Sequence, residues 1–108
     1  MQFDPPSTAT NVQRHTEAGI DRMALIAFEA SAADAGAFAD ALVPGGVKEG
    51  EDPGNAYLGI GKPWWFTRFP EGASGGKHDD MASGVTTQVV LGPDVNGRRR
   101  VWASRFTR

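Results

Sequence analysis

Arg22-Met23-Ala24-Leu25-Ile26-Ala27-Phe28-Glu29, followed by Ser31 and the alanine-rich run to Leu42, decides the fold class of this chain. Met23 and Leu25 point to one face of an extended segment while Ala24, Ile26 and Phe28 point to the other, so both faces are apolar and the strand belongs inside a sheet with something over each side. After Ser31 the period lengthens. Ala35, Phe38, Ala39 and Leu42 share one face only if the backbone is helical. Ser31 is positioned to cap that helix, Asp34 in its first turn suits the helix dipole, and Pro44-Gly45-Gly46 ends it. Gly36 costs a helix about 1 kcal/mol against alanine, which is read as room for close approach to the sheet. A one-sided helix fed by a strand makes the class α+β.

Outward from that segment the remaining elements are weaker. Asp4-Pro5-Pro6-Ser7 excludes regular helix. Thr10 to Thr16 reads as a strand, joined to the strong one by a hairpin connection over Glu17 to Asp21. Residues 45 to 62 and Glu71 to Ser83 have loop composition. Val85 to Phe106 reads as a hairpin with Asn96-Gly97 as its type I′ turn, which places Leu91 opposite Trp102, Val89 opposite Ser104, Thr87 opposite Phe106 and Asp94 opposite Arg99. Pro93 marks a bulge or an edge in it. The expected architecture is one antiparallel four-stranded sheet in the order β-β-α-β-β, with one helix packed on one face.

The length of 108 residues fits a single domain spanning 1–108. No cysteine is present, so disulfides and thiolate metal sites are excluded. Met1 to Pro6 has neither the basic start nor the apolar core of a signal peptide, and Met23 to Phe28 is too short an apolar run to span a bilayer. The net charge of -2 divides unevenly, with three basic and nine acidic side chains in residues 1 to 61 against eight and four in 62 to 108. A pI near 5.6 argues against a nucleic-acid partner.

Pro5-Pro6-Ser7-Thr8-Ala9-Thr10-Asn11-Val12, Gly19-Ile20-Asp21, the strand ending at Phe28, the alanine-rich helix and Lys62-Pro63-Trp64-Trp65 together resemble a domain of small uncharacterised bacterial proteins, exported or lipoprotein-like. The resemblance implies an extracytoplasmic location and carries no activity. No cysteine is present here to accept a lipid.

Three groups of residues have chemistry to offer. Trp64, Trp65 and Phe66 could form an aromatic platform for a sugar ring or a peptide, although the same segment could instead cover the sheet face that the helix leaves bare. His78, Asp79 and Asp80 are ligand types for a divalent ion if His15 or Glu71 adds a further donor; the commoner role of such a run is a solvated surface. Arg98, Arg99 and Arg100, with Arg105 and Arg108, could neutralise a polyanion, against a plain reading as the solvent face of a hairpin. Gly72-Ala73-Ser74-Gly75-Gly76-Lys77 lacks the spacing and preceding strand of a phosphate loop. With no nucleophile motif and no triad, the first expectation is a non-enzymatic binding or interaction domain without a cofactor. A protein or small-molecule ligand is expected, or a second copy of the chain on the uncovered sheet face. The alternative is a small metal-dependent hydrolase using His78, Asp79 and Asp80.

Overall fold

A computed structural model describes residues 3–17, 22–54, 58 and 61–107. The order is β1 (Thr10–Glu17), β2 (Met23–Ser31), α1 (Ala32–Leu42), β3 (Lys48–Glu49), β4 (Ser74–Asp80), β5 (Val85–Leu91) and β6 (Arg98–Thr107). The strands form one sheet of six, in the spatial order β1-β2-β6-β5-β4-β3. Every neighbouring pair is antiparallel. This corrects the four-stranded β-β-α-β-β expectation: the class remains α+β, but strand dominates and two of the strands lie in segments whose composition reads as loop.

The glycine pair explains why β4 escaped the pattern. A Cβ on Gly75 would lie 2.1 Å from the Glu51 carbonyl oxygen and 2.7 Å from Pro53 Cδ, while one on Gly76 would lie 3.0 Å from the Gly46 oxygen and 3.1 Å from Val43 Cγ1. Loop segments therefore cross the strand closely, and only glycine leaves them space. The polar residues that follow, Lys77 to Asp80, are exposed, so no alternation of apolar residues announces the strand.

β2 lies between β1 and β6, as its two apolar faces require. Ile26, Phe28, Val89, Leu91, Val101 and Ala103 face α1, whose Ala35, Phe38 and Ala39 are buried against them, with Leu42 packed at the margin. The Phe28 and Phe38 rings meet edge to face at 4.9 Å. Ser31 caps the helix by accepting from the Asp34 amide at 3.1 Å. The Asp34 carboxylate in turn accepts from the Thr8 hydroxyl, which ties the N-terminal segment to the helix start. Phe3 packs in the same core, with the Arg105 guanidinium 4.8 Å from its ring centroid. Burial lowers the pKa of that guanidinium, and Asp4 opposes the shift. Gly36 does not serve close approach: a Cβ there would meet nothing within 4 Å.

The opposite face is also filled. Leu25, Ala27, Val90 and Trp102 pack against Trp65, Phe66 and Ala73, with Met23, Leu58, Trp64 and Phe69 partly buried around them. The layers are helix, sheet and aromatic segment. The face on which a second copy was expected is thus covered by the chain itself, with Trp65 and Phe66 packed on it.

The β5–β6 hairpin also departs from its expected register. Val90 opposes Trp102, Leu91 opposes Val101, Thr87 opposes Arg105 and Thr86 opposes Phe106, one position away from the pairing that the turn alone dictates. The turn is where the sequence puts it: Val95 bridges to Arg98 around Asn96 and Gly97, both at positive φ. Between turn and ladder, the bulge at Gly92-Pro93-Asp94 adds one residue to one side and flips every side chain beyond it. Trp102 consequently leaves the helix side and joins Trp65 and Phe66. Asp94 does not oppose Arg99 but accepts from the Gly97 amide at 2.8 Å.

Residues Ala18 to Asp21, within the expected hairpin connection, and Tyr57 and Ile60 lie outside the described residues. Among the described residues no helix is long and apolar enough to cross a membrane.

Candidate binding cleft

The aromatic segment 62–70 crosses the sheet without regular structure, and its own turn holds it: the Trp65 amide donates to the Lys62 carbonyl at 3.1 Å. Adjacent side chains then take different roles. Trp65 is 4 % and Phe66 9 % exposed, the two rings stack at 5.7 Å, and Phe66 meets Trp102 edge to face at 5.0 Å. These rings are core. Trp64 is only partly buried and stands edge to face with Trp65 at 5.8 Å.

The Trp64 carbonyl is fixed from the sheet. Arg100 Nη2 donates to it at 3.2 Å and Trp102 Nε1 at a long 3.4 Å. The Arg100 guanidinium also lies 5.7 Å from the Trp102 ring centroid, and its Nη1 is 3.8 Å from Glu29 Oε1. At that separation and exposure the ion pair contributes little. The cation is oriented mainly by the carbonyl and the indole.

Around these groups lies an open cleft of about 520 Å³, lined by Asn11, Gln13, Pro63, Trp64, Arg100 and Trp102 together with the edges of Trp65 and Phe66. Asn11 and Gln13 come from β1, where the pairing with β2 shifts between Thr10 and Gln13 and Asn11 adopts φ 53°. The bulge brings the two amides to the same rim as Arg100. Sequence patterning singles out the tryptophans and Arg100 separately and misses Asn11 and Gln13. The only signal for them is the pairing of β1 with β2, which sets Gln13 opposite Ala27 on the aromatic face.

The other candidates separate. On β4, His78 and Asp80 point to one face and Asp79 to the other. Asp79 Oδ1 accepts from the Thr86 hydroxyl at 2.7 Å, and Asp80 Oδ1 accepts from the amides of Ala82 at 3.0 Å and Ser83 at 3.4 Å. Hydrogen bonds from Ser83, side chain first, then its amide and that of Ala82, hold the Asp80 carboxyl below its ordinary range. Asp80 is thus the cap of the β4–β5 turn. His15 lies on β1, with β2, β6 and β5 between it and β4, a separation of roughly 19 Å at ordinary strand spacing. It pairs instead with Glu17 at 3.1 Å. Among the described residues no group of three or more His, Asp or Glu side chains stands close enough to hold a metal ion.

The arginine run is divided by the sheet as well. Arg98 Nη2 donates to the Thr10 hydroxyl at 2.8 Å, Arg99 Nε to the Gly92 carbonyl at 2.7 Å and Arg100 to the Trp64 carbonyl. Arg99 faces the helix side and the other two face the aromatic side, so the three do not form one cationic surface. Geometry alone therefore identifies the cleft at Trp64 and Arg100: no family model, curated protein or solved structure matches this chain.

Proposed function

We propose that this domain is a non-enzymatic binding module whose ligand occupies the cleft between Trp64, Arg100 and the β1 amides. The observation that carries the reading is the combination at one rim of an aromatic ring left partly open, an oriented guanidinium and two planar amides. Ligand sites take this form, with apolar surface for contact area and a few convergent polar groups for orientation. An extracytoplasmic bacterial setting belongs to the same proposal, supported by the resemblance of Pro5 to Val12 and Lys62 to Trp65 to exported domains.

The reading as a metal-dependent hydrolase draws no support from the geometry. Asp79 and Asp80 diverge, and both are occupied within the β4–β5 hairpin.

Amide chemical shifts recorded during a screen of aromatic, amino-acid and sugar fragments test the module. Shifts gathered on Asn11, Gln13, Arg100 and the Trp64 indole are expected, and Trp64→Ala abolishes them. Shifts gathered elsewhere, or unchanged in that variant, overturn the proposal.

A further inference from the structure

We infer that the cleft takes an acidic saccharide, a pyranose ring bearing a carboxylate, with Trp64 against the ring and Arg100 on the acid group; this rests on the binding reading above. Among the described lining residues one is a cation and none is an anion. Glu29 is the acid beside Arg100, half-exposed and 3.8 Å away. Arg98, two residues along the same face of β6, lies outside the lining and donates to the Thr10 hydroxyl at 2.8 Å. A described lining that holds a guanidinium and no carboxylate, in a protein of net charge -2, favours an anion.

The class of anion follows from the other groups. A guanidinium has five donors in a planar fork matched to a carboxylate, and Trp64 O and Glu29 engage only part of it. Asn11 and Gln13 each present a donor and an acceptor, the complement of hydroxyl groups that both give and accept. A partly open indole beside them offers a flat apolar surface to the C–H face of a sugar ring. An aliphatic acid would leave the amides unmatched, and a neutral sugar would leave the guanidinium unmatched. In an open cleft water still serves the group left over, so each mismatch forgoes a contact that an acidic sugar would make.

Trimers of galacturonate, glucuronate and guluronate, titrated into the isotope-labelled protein, test this. At least one is expected to shift Asn11, Gln13 and the Trp64 indole at millimolar concentration. Its methyl ester, with the same skeleton and no charge, is expected to bind about tenfold more weakly, the loss of one charge-assisted contact. Arg100→Lys, which keeps the charge and removes the fork, is expected to weaken the acid more than the ester, because the lost hold on the Trp64 carbonyl is common to both ligands. Equal affinity of acid and ester overturns the inference, and that comparison uses the unaltered protein, so it stands even if the variant fails to fold. Absence of binding by all three trimers, while fragments still occupy the cleft, also overturns the inference and leaves the binding module standing. Failure of fragments as well removes both.

Discussion

Trp102 stands directly across from Val90, whereas four residues further toward the tip Arg98 bridges to Val95, so the two ends of one hairpin run in different registers. The difference is one residue, accommodated at Gly92-Pro93-Asp94. The Gly92 amide already donates to the Arg100 carbonyl at 2.7 Å. A chain lacking Pro93 would then have equal counts on both sides, with Asp94 opposite Arg99. Deleting Pro93 is expected to preserve the Val90–Trp102 contact and to change stability by no more than about 1 kcal/mol. Cross-strand proton contacts to the Trp102 indole check this.

Gly36→Ala should stabilise the protein. The position is helical, φ is negative, and the added Cβ meets nothing within 4 Å, so only the helix preference of alanine is expressed. A gain of about 1 kcal/mol, or a few degrees in melting temperature, is expected. Thermal unfolding of the two proteins decides it.

Gly75→Ala should do the reverse. Its Cβ would meet backbone oxygen and a proline ring, neither of which can swing aside, so the loop at Glu51 to Pro53 must move. A loss of about 2 kcal/mol or more is expected. Gly76→Ala, with its nearest neighbour at 3.0 Å, costs less. Denaturant midpoints of both variants rank them.

Trp65→Ala and Trp64→Ala should separate structure from binding. The buried Trp65 ring fills the core between Phe66 and Trp64, and its removal is expected to cost about 3 to 5 kcal/mol. Removal of the half-buried Trp64 ring costs less, because both bonds to that residue from the sheet go to its carbonyl. Unfolding curves measured alongside fragment binding distinguish the two.

Asp80 ties part of the stability to acid. Hydrogen bonds hold its folded pKa below the unfolded value of about 3.9, so the folded state binds the proton less readily than the unfolded chain. The stabilisation is therefore complete above that value and is lost as pH falls through the folded pKa. Asp80→Ala is expected to lower stability at neutral pH and to bring the variant and the parent together toward the acid limit. Melting temperatures from pH 7 down to pH 2 show whether the curves converge.

Local chemistry made much of the fold legible. Met23 to Phe28 announces an interior strand, Ser31 a cap, and Asn96-Gly97 a turn, because each depends on residues adjacent in sequence. What stayed hidden depends on partners distant in sequence. β4 is a strand because β5 pairs with it from Ser74 to Asp80, and its glycines, which look like turn residues, make room for the loops at Gly46 and Glu51. The bulge at Pro93 and the turn at Asn96 were each readable, yet only their sum sets the face of Trp102. The cleft is the same case. Trp64 and Arg100 are conspicuous singly, while Asn11 and Gln13 join them only through the β1–β2 pairing.

The central position of β6 has a temporal side. It follows all the other elements along the chain, yet it lies between β2 and β5 and bonds to both. During synthesis the β1–β2 hairpin with its helix and the β4–β5 hairpin must wait as separate, half-covered pieces. Strand pairing over such long sequence separations is slow. Until β6 emerges, the apolar edges of both pieces stand open to chaperones, or to each other in the wrong order.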